Sequence, residues 1–204
     1  MATDADALPD ATDTSRVLTV PNVITMVRLA LLPVFVYLLF GADDRASAAW
    51  LLAALGITDF ADGYIARHFN QVSDLGKVLD PVADRLLFFV GIGAILIDGS
   101  VPVWLAVVVL GREALVAAAT LVLAGMGAAR VDVTWFGKAG AFGFMIAFPL
   151  FLAHHSNLSW AGVADELAWI AAGPALAFSL WSVVLYVPLA RKALRDGRAQ
   201  AVAA

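Results

Sequence analysis

Five aspartates lie close together between residues 59 and 84, in a chain that is otherwise strongly apolar: Asp59, Asp62, Asp74, Asp80 and Asp84. Asp59 and Asp62 are three residues apart and Asp80 and Asp84 are four apart, so on helices each pair shares one face. Two antiparallel helices joined by a short connection could therefore direct four carboxylates at one volume. Asp74 falls in the connection, where it is a candidate helix cap.

Four carboxylates in one apolar region need cations among them. An aspartate at the centre of a membrane span costs about 2.5–3.5 kcal/mol, and neighbouring like charges repel. Ion pairs with Arg67 and Arg85 would be a purely structural solution. Convergent carboxylate oxygens also suit divalent Mg²⁺, or Mn²⁺, and two such ions would balance four negative charges. We predict two divalent metal ions, most simply Mg²⁺. The predicted ligands are Asp59, Asp62, Asp80 and Asp84.

The composition identifies the environment of these residues. Of 204 residues, 62% are apolar and only 15% are charged, with a mean hydropathy of +0.86, whereas soluble domains are about half apolar and about a quarter charged. The chain is therefore predicted to be an integral membrane protein, with room for six spans of about 20 residues. It has no cysteine, which excludes disulfides, thiol nucleophiles and cysteine metal sites.

Turn residues divide the apolar sequence into six segments, and we predict an all-α fold with six transmembrane helices. The segments are about 22–40, 47–69, 75–97, 101–125, 137–154 and 166–190. Residues 1–18 are predicted to form a disordered acidic tail, 19–192 a single membrane domain, and 193–204 a C-terminal tail.

The lysines and arginines predict the orientation, because positively charged loops stay cytoplasmic. Nine of them fall on the side that both termini share: Arg16, Arg67, Lys77, Arg130, Lys138, Arg191, Lys192, Arg195 and Arg198. The opposite loops hold only Arg45. Both termini are therefore expected in the cytoplasm, with the aspartate cluster facing the cytoplasm from the inner membrane.

The aspartate segment also carries a family resemblance. The run Asp59-x-x-Asp62-Gly63-x-x-Ala66-Arg67, followed by Gly76-x-x-x-Asp80-x-x-x-Asp84, resembles the signature of the CDP-alcohol phosphatidyltransferases at every fixed position. The stretch from Val20 to Leu29 is similar to the first span of the phosphatidylglycerophosphate and cardiolipin synthases of this family. Gly111-Arg112-Glu113 and Phe136-Gly137-Lys138 are similar to further landmarks of that subgroup.

The resemblance implies transfer of a phosphatidyl group from CDP-diacylglycerol to an alcohol, with release of CMP, by a homodimer. Asp84 would complete the second metal site or act as general base. The implied CDP-donor residues are Asp62, Gly63, Ala66, Arg67, Gly76, Asn22 and Thr25. The candidate acceptor-binding cations are Arg28, Arg112 and Lys138, although Arg112 could instead pair with Glu113.

The acceptor is either phosphatidylglycerol or glycerol 3-phosphate. Phosphatidylglycerophosphate synthases commonly have a GKxKT pattern, but here Gly140 and Ala141 follow Gly137-Lys138-Ala139 in place of the second lysine and the threonine. This departure slightly favours phosphatidylglycerol, the acceptor of a cardiolipin synthase. An inositol phosphate acceptor is the alternative enzyme, and a membrane transporter is the alternative class. Transport would predict carboxylates near the midplane of several helices, with internal repeats.

Overall fold

The computed structural model describes residues 20–68, 74–129 and 134–203, with side chains described at 22–58, 82–129 and 134–197. Within these ranges the protein has six helices, as the sequence predicts. They are α1 (Val20–Phe40), α2 (Arg45–His68), α3 (Asp74–Asp98), α4 (Val103–Gly125), α5 (Trp135–His154) and α6 (Ala161–Ala203). The first five begin and end close to the predicted segments.

Four helices in the described part are long and apolar enough to cross a membrane. These segments are Asn22–Phe40 of α1, Val103–Gly125 of α4, Trp135–His154 of α5 and Ala161–Gly197 of α6. In α2 a shorter apolar segment, Arg45–Thr58, precedes the aspartates. The protein is therefore an integral membrane protein in which α2 and α3 carry the aspartate cluster.

Short turns stop the helices where the backbone leaves the right-handed region. Gly99 and Gly127 have φ angles of 79° and 73°, which glycine adopts without the steric cost that a Cβ would impose. Between α1 and α2, the N–H of Gly41 donates to the Tyr37 carbonyl at 2.7 Å. The side chain of Asp44 then accepts the N–H of Ser47 and caps α2. These turns reverse the chain within a few residues.

The last helix is longer than the predicted span. Residues 193–203, predicted as part of a C-terminal tail, continue α6. The N–H of Ala129, in the turn after α4, donates to the carbonyl of Ala193 at 2.9 Å. Gly197 lies against the carbonyl of Gly127, where a Cβ would not fit. The C-terminal part of α6 therefore braces the turn between α4 and α5.

The packed core lies at one end of the bundle. We call this the core end; it is formed by the turns 41–44, 99–102 and 155–160. Its fully buried side chains include Phe35, Leu39, Ile95, Leu105, Phe151 and Leu152. At the same end Arg45 binds both carboxylate oxygens of Asp98, at 3.0 and 3.1 Å, and joins the start of α2 to the end of α3. The other end, where α3 begins and the turn 126–129 lies, is called the site end.

Candidate functional site

The predicted metal ligands, and the predicted donor residues other than Asn22 and Thr25, lie on the two helices that the spacing requires. Asp59 and Asp62, with Gly63, Ala66 and Arg67, are in the second half of α2, and Gly76 and Asp80 are in the first two turns of α3. Each aspartate pair is therefore on one helix face. The side chains at 59–68 and 74–81 lie outside the described part, so the contacts of these residues remain predictions.

Asp84 is the predicted ligand whose side chain is described, and it forms an ion pair with Arg28. Nη1 of Arg28 donates to Oδ1 of Asp84 at 2.8 Å. The arginine side chain is only 2% exposed, whereas that of Asp84 is 49% exposed. A buried guanidinium that grips one carboxylate oxygen fixes the direction of the carboxylate. Arg28, predicted to bind the acceptor, thus contacts the predicted catalytic carboxylate.

Arg28 belongs to a buried polar face of α1. Asn22 and Thr25, each 1% exposed, precede it at intervals of three residues, which places all three on the same side of the helix. This helix packs against α2 and α3. The predicted donor-binding residues Asn22 and Thr25 therefore lie on the side of α1 that is buried in the bundle. Thr25 is about one turn and Asn22 about two turns from Arg28, which binds Asp84.

Arg112 pairs with its neighbour, as the alternative interpretation of the sequence proposed. Its Nη1 lies 2.7 Å from Oε2 of Glu113, and its Nη2 donates to the hydroxyl of Ser182 on α6 at 2.6 Å. The Nε is buried and has no hydrogen-bond partner within the described residues. A second polar contact between α4 and α6 joins the hydroxyls of Thr120 and Tyr186. Thr120 is about two turns after Arg112, and Tyr186 is about one turn after Ser182.

A cavity of about 860 Å³ connects Asp84 with these groups. Its charged wall combines α3, α4 and α5: Asp84, Arg85, Arg112, Glu113 and Lys138. Two of the three predicted acceptor cations, Arg112 and Lys138, therefore share one cavity with Asp84. The third, Arg28, reaches Asp84 from α1, a helix that contributes no described residue to the cavity wall.

The sequence missed two charged residues of this cavity as site residues. Arg85 directly follows Asp84, and Glu113 directly follows Arg112. The sequence indicates both only as partners in structural ion pairs. A signal was present, since ionisable side chains within apolar segments usually face a polar cavity.

Lys138 and Gly140 on α5 face different surroundings. Thr134 caps the helix by accepting the N–H of Gly137 at 3.1 Å, and Lys138, one residue further, is an exposed part of the cavity wall. Gly140 is buried against α6, where an added Cβ would lie 3.0 Å from the carbonyl oxygen of Ala175 and from the backbone N of Ser179. Ala141, the next residue, lines the cavity.

Gly140 is therefore a packing residue. Any larger residue in its place would require the backbone of α6 to shift by a few tenths of an ångström, so the close approach of the two helices favours glycine here. The packing is a second reason for a glycine at position 140, besides the missing charge that the sequence indicates. Ala141 is the neighbouring position from which a longer side chain would enter the cavity.

Several known proteins resemble this chain over most of its length. A protein of Mycobacterium tuberculosis that is provisionally named a cardiolipin synthase is 39% identical over 173 residues, covering 84% of this chain and 82% of the relative. A Streptomyces coelicolor protein named cardiolipin synthase (CMP-forming) is 38% identical over 187 residues, covering 89% and 87%.

A more distant relative carries another name. The CDP-diacylglycerol–glycerol-3-phosphate 3-phosphatidyltransferase of Bacillus subtilis is 32% identical over 167 residues, covering 74% of this chain and 86% of the relative. The family model of the CDP-alcohol phosphatidyltransferases matches residues 18–187. The match includes all six helices as far as residue 187 of α6. The chain therefore belongs to the CDP-alcohol phosphatidyltransferase family.

Proposed function

We propose that the protein transfers the phosphatidyl group of CDP-diacylglycerol to phosphatidylglycerol, forming cardiolipin and CMP. The observation that carries this proposal is the position of Asp84. Its carboxylate is held by Arg28 and lies on the wall of a cavity shared with Arg112 and Lys138. An acceptor hydroxyl in this cavity would have a base and cationic groups beside it.

The choice of acceptor rests on two observations. The relatives of higher identity, at 38–39%, carry names of cardiolipin synthases, and those named for glycerol 3-phosphate are 32% identical. Glycerol 3-phosphate, a phosphomonoester, needs more donors than the phosphodiester of phosphatidylglycerol. The second lysine of the GKxKT pattern is replaced by Gly140, which packs on α6. Both observations favour phosphatidylglycerol.

The reaction exchanges one phosphorus–oxygen bond for another. The free hydroxyl of the acceptor attacks the phosphorus that bears diacylglycerol, and the bond from this phosphorus to the bridging oxygen breaks. CMP leaves with that oxygen. Asp84 accepts the proton of the attacking hydroxyl, and Arg28 holds Asp84 in the required direction.

We propose that the carboxylates of α2 and α3 would hold a pair of divalent ions. The described side chains contain no group of three metal-binding residues, because three of the four aspartates lie outside them. The half-exposed carboxylate of Asp84 and the helical positions of Asp59, Asp62 and Asp80 provide hard oxygen ligands. Bound Mg²⁺ would polarise the attacked phosphorus and balance the charge of the departing phosphate.

We propose that CDP-diacylglycerol, the donor, binds on the side of Asp84 that faces away from the acceptor cavity. Asn22 and Thr25 on α1 and the segment from Asp62 to Arg67 on α2, with Gly76 on α3, are proposed to bind CDP-diacylglycerol. The planar fork of Arg67 suits a phosphate. This arrangement leaves the cavity between α3, α4 and α5 to the acceptor.

We propose that all six helices cross the inner membrane, with the site end and both termini in the cytoplasm. At the site end, Lys138 and the exposed Arg191, Lys192 and Arg195 support this orientation. At the core end, Arg45 is neutralised by Asp98. Since the chain has no cysteine, single cysteines at Ala42 and Ala128 can be labelled without background. An impermeant thiol reagent outside intact cells should label only Ala42→Cys; the reverse would overturn the orientation.

Purified protein in liposomes tests the reaction. With labelled CDP-diacylglycerol and phosphatidylglycerol, Mg²⁺ should start the formation of CMP and cardiolipin in equal amounts. Chelation of the metal should stop both. Absence of CMP release with every alcohol acceptor would contradict the proposal. Formation of phosphatidylglycerophosphate when glycerol 3-phosphate is supplied, with no cardiolipin from phosphatidylglycerol, would assign the acceptor to glycerol 3-phosphate.

A further inference from the structure

Part of the cavity lining is apolar and extends from Asp84 toward the core end, and we call this part the floor. Its lining there comes from α2, α3 and α5, whereas the charged residues of the cavity are Asp84 and Arg85 on α3, Arg112 and Glu113 on α4 and Lys138 on α5. The floor is formed by Leu52, Gly91, Ile92, Phe144, Met145 and Phe148. Along α3, eight residues separate Asp84 from Ile92, which is about 12 Å of helix. This depth exceeds what a small polar acceptor would use.

An apolar space of this size needs an apolar occupant. Water has no hydrogen-bond partners on such a surface, so apolar cavities stay dry, and an empty cavity forfeits the contacts of its lining atoms. The whole cavity, charged wall and floor together, has a volume of about 860 Å³, which is within the roughly 300–1,000 Å³ of ordinary ligand pockets. A bilayer surrounds the protein with acyl chains that could fill the floor.

We propose that the floor binds an acyl chain of the lipid acceptor, while the glycerol headgroup of the same molecule lies beside Asp84. This inference rests on the proposed function. It assigns the floor to the acceptor because Asp84, which takes the acceptor proton, lies on the wall of the same cavity, and because α1, which carries the proposed donor residues Asn22 and Thr25, contributes none of its described residues to that wall. The anionic phosphodiester would then lie near Arg85 and Lys138.

Two glycines keep the floor open. A Cβ at Gly91 would meet only Cδ1 of Leu52, at 3.4 Å, which is ordinary contact. A Cβ at Gly56 would meet the flexible end of Met145 at 3.3 Å. Larger side chains at these positions would therefore occupy the cavity with little disturbance of the backbone. Gly93, two residues along α3, has open space where its Cβ would be and lies outside the cavity lining. It provides a matched control.

The test compares chain lengths of acceptor and donor. We propose to reconstitute four proteins: wild type, Gly91→Leu, Gly56→Leu and the control Gly93→Leu. Each protein is assayed with dihexanoyl and with dioleoyl phosphatidylglycerol as acceptor. Each acceptor is tested with short-chain and with long-chain CDP-diacylglycerol as donor. Filling the floor should raise the KM for the dioleoyl acceptor by about tenfold or more and change that for the dihexanoyl acceptor by less than about twofold. Gly93→Leu should behave as wild type.

Equal loss with both acceptors, or a loss that follows the donor chain, would overturn the inference. A second measurement avoids variants: phosphatidylglycerol with a diazirine in its acyl chain is photolysed with the wild-type protein. Labelling of the peptide that contains Phe144, Met145 and Phe148 supports the assignment, and labelling confined to other peptides overturns it. Failure of the proposed function is distinct, because wild type would then make no cardiolipin from either acceptor.

Discussion

Nη1 of Arg28 lies 2.8 Å from Oδ1 of Asp84, across 56 residues of sequence. This pair ties the buried polar face of α1 to the carboxylate that we propose as the general base. Because the guanidinium is almost fully buried and the carboxylate is half exposed, the arginine is the fixed partner. Arg28 is therefore expected to orient Asp84, a role different from the acceptor binding that the sequence predicts.

Replacement of Arg28 should separate these two roles. In Arg28→Met the direction of the Asp84 carboxylate is lost, and kcat should fall about 10- to 100-fold with little change in the KM for phosphatidylglycerol. Arg28→Lys should recover part of the rate, since it restores a positive charge without the planar fork. A rise in KM at nearly constant kcat would instead assign Arg28 to the acceptor.

Removal of the Asp84 charge should abolish most of the activity. Asp84→Asn keeps the shape of the side chain but cannot accept the hydroxyl proton or ligate a metal as a carboxylate, so kcat should fall about 10²- to 10⁴-fold. The matched control is Asp165→Asn, in the first turn and a half of α6 at the core end. Near wild-type turnover of Asp84→Asn would remove Asp84 from the mechanism.

Gly140 and Ala141 should respond differently to a lysine. Gly140→Lys should destabilise the contact of α5 with α6 by about 1–3 kcal/mol through overpacking, detected as a lower midpoint of thermal unfolding. Ala141→Lys should leave stability nearly unchanged, because its side chain enters the cavity.

The same variant tests acceptor choice. A lysine at 141 adds a charged donor to the cavity and should raise kcat/KM for glycerol 3-phosphate relative to phosphatidylglycerol by about tenfold. An unchanged ratio would mean that positive charge on this wall of the cavity does not decide the acceptor.

The ion pair at the core end should contribute to stability and not to chemistry. Asp98 is 4% exposed and bound by Arg45, which is 30% exposed. Asp98→Asn should therefore lower the free energy of unfolding by on the order of 2 kcal/mol, which is less than the roughly 3–5 kcal/mol that breaking a fully buried pair costs. Asp43→Asn is the control. It removes the other carboxylate partner of Arg45, 78% exposed, and should cost less than about 1 kcal/mol. Equal unfolding midpoints for the two variants would contradict this assignment.

The helices and the family could be predicted because both depend on residues that are close together in the sequence. Runs of apolar residues separated by turn residues determine the helices, and the spacing from Asp59 to Asp84 carries the family pattern. Contacts between residues that are far apart in the sequence are not indicated by any short stretch of it. The sequence placed Arg28 at the acceptor, although its partner lies on α3, and it did not find Ser182, which lies 70 residues from Arg112.

Position 140 illustrates the same limit. In a sequence, a glycine in place of a lysine indicates only that a charge is missing. The structure adds that Gly140 faces the backbone of α6 at close range, so the size of the residue is restricted independently of any ligand. Which face of α5 a residue occupies depends on packing with α6, and no local pattern determines it.

Asp84 and its cavity are proposed to serve a lipid acceptor. In the most direct measurement, the reconstituted wild-type protein is incubated with labelled CDP-diacylglycerol, Mg²⁺ and equal concentrations of phosphatidylglycerol and glycerol 3-phosphate. The labelled products are then separated. We expect cardiolipin as the main labelled lipid, with an equal amount of CMP, and neither product from Asp84→Asn. Labelled phosphatidylglycerophosphate as the main product would contradict the claim.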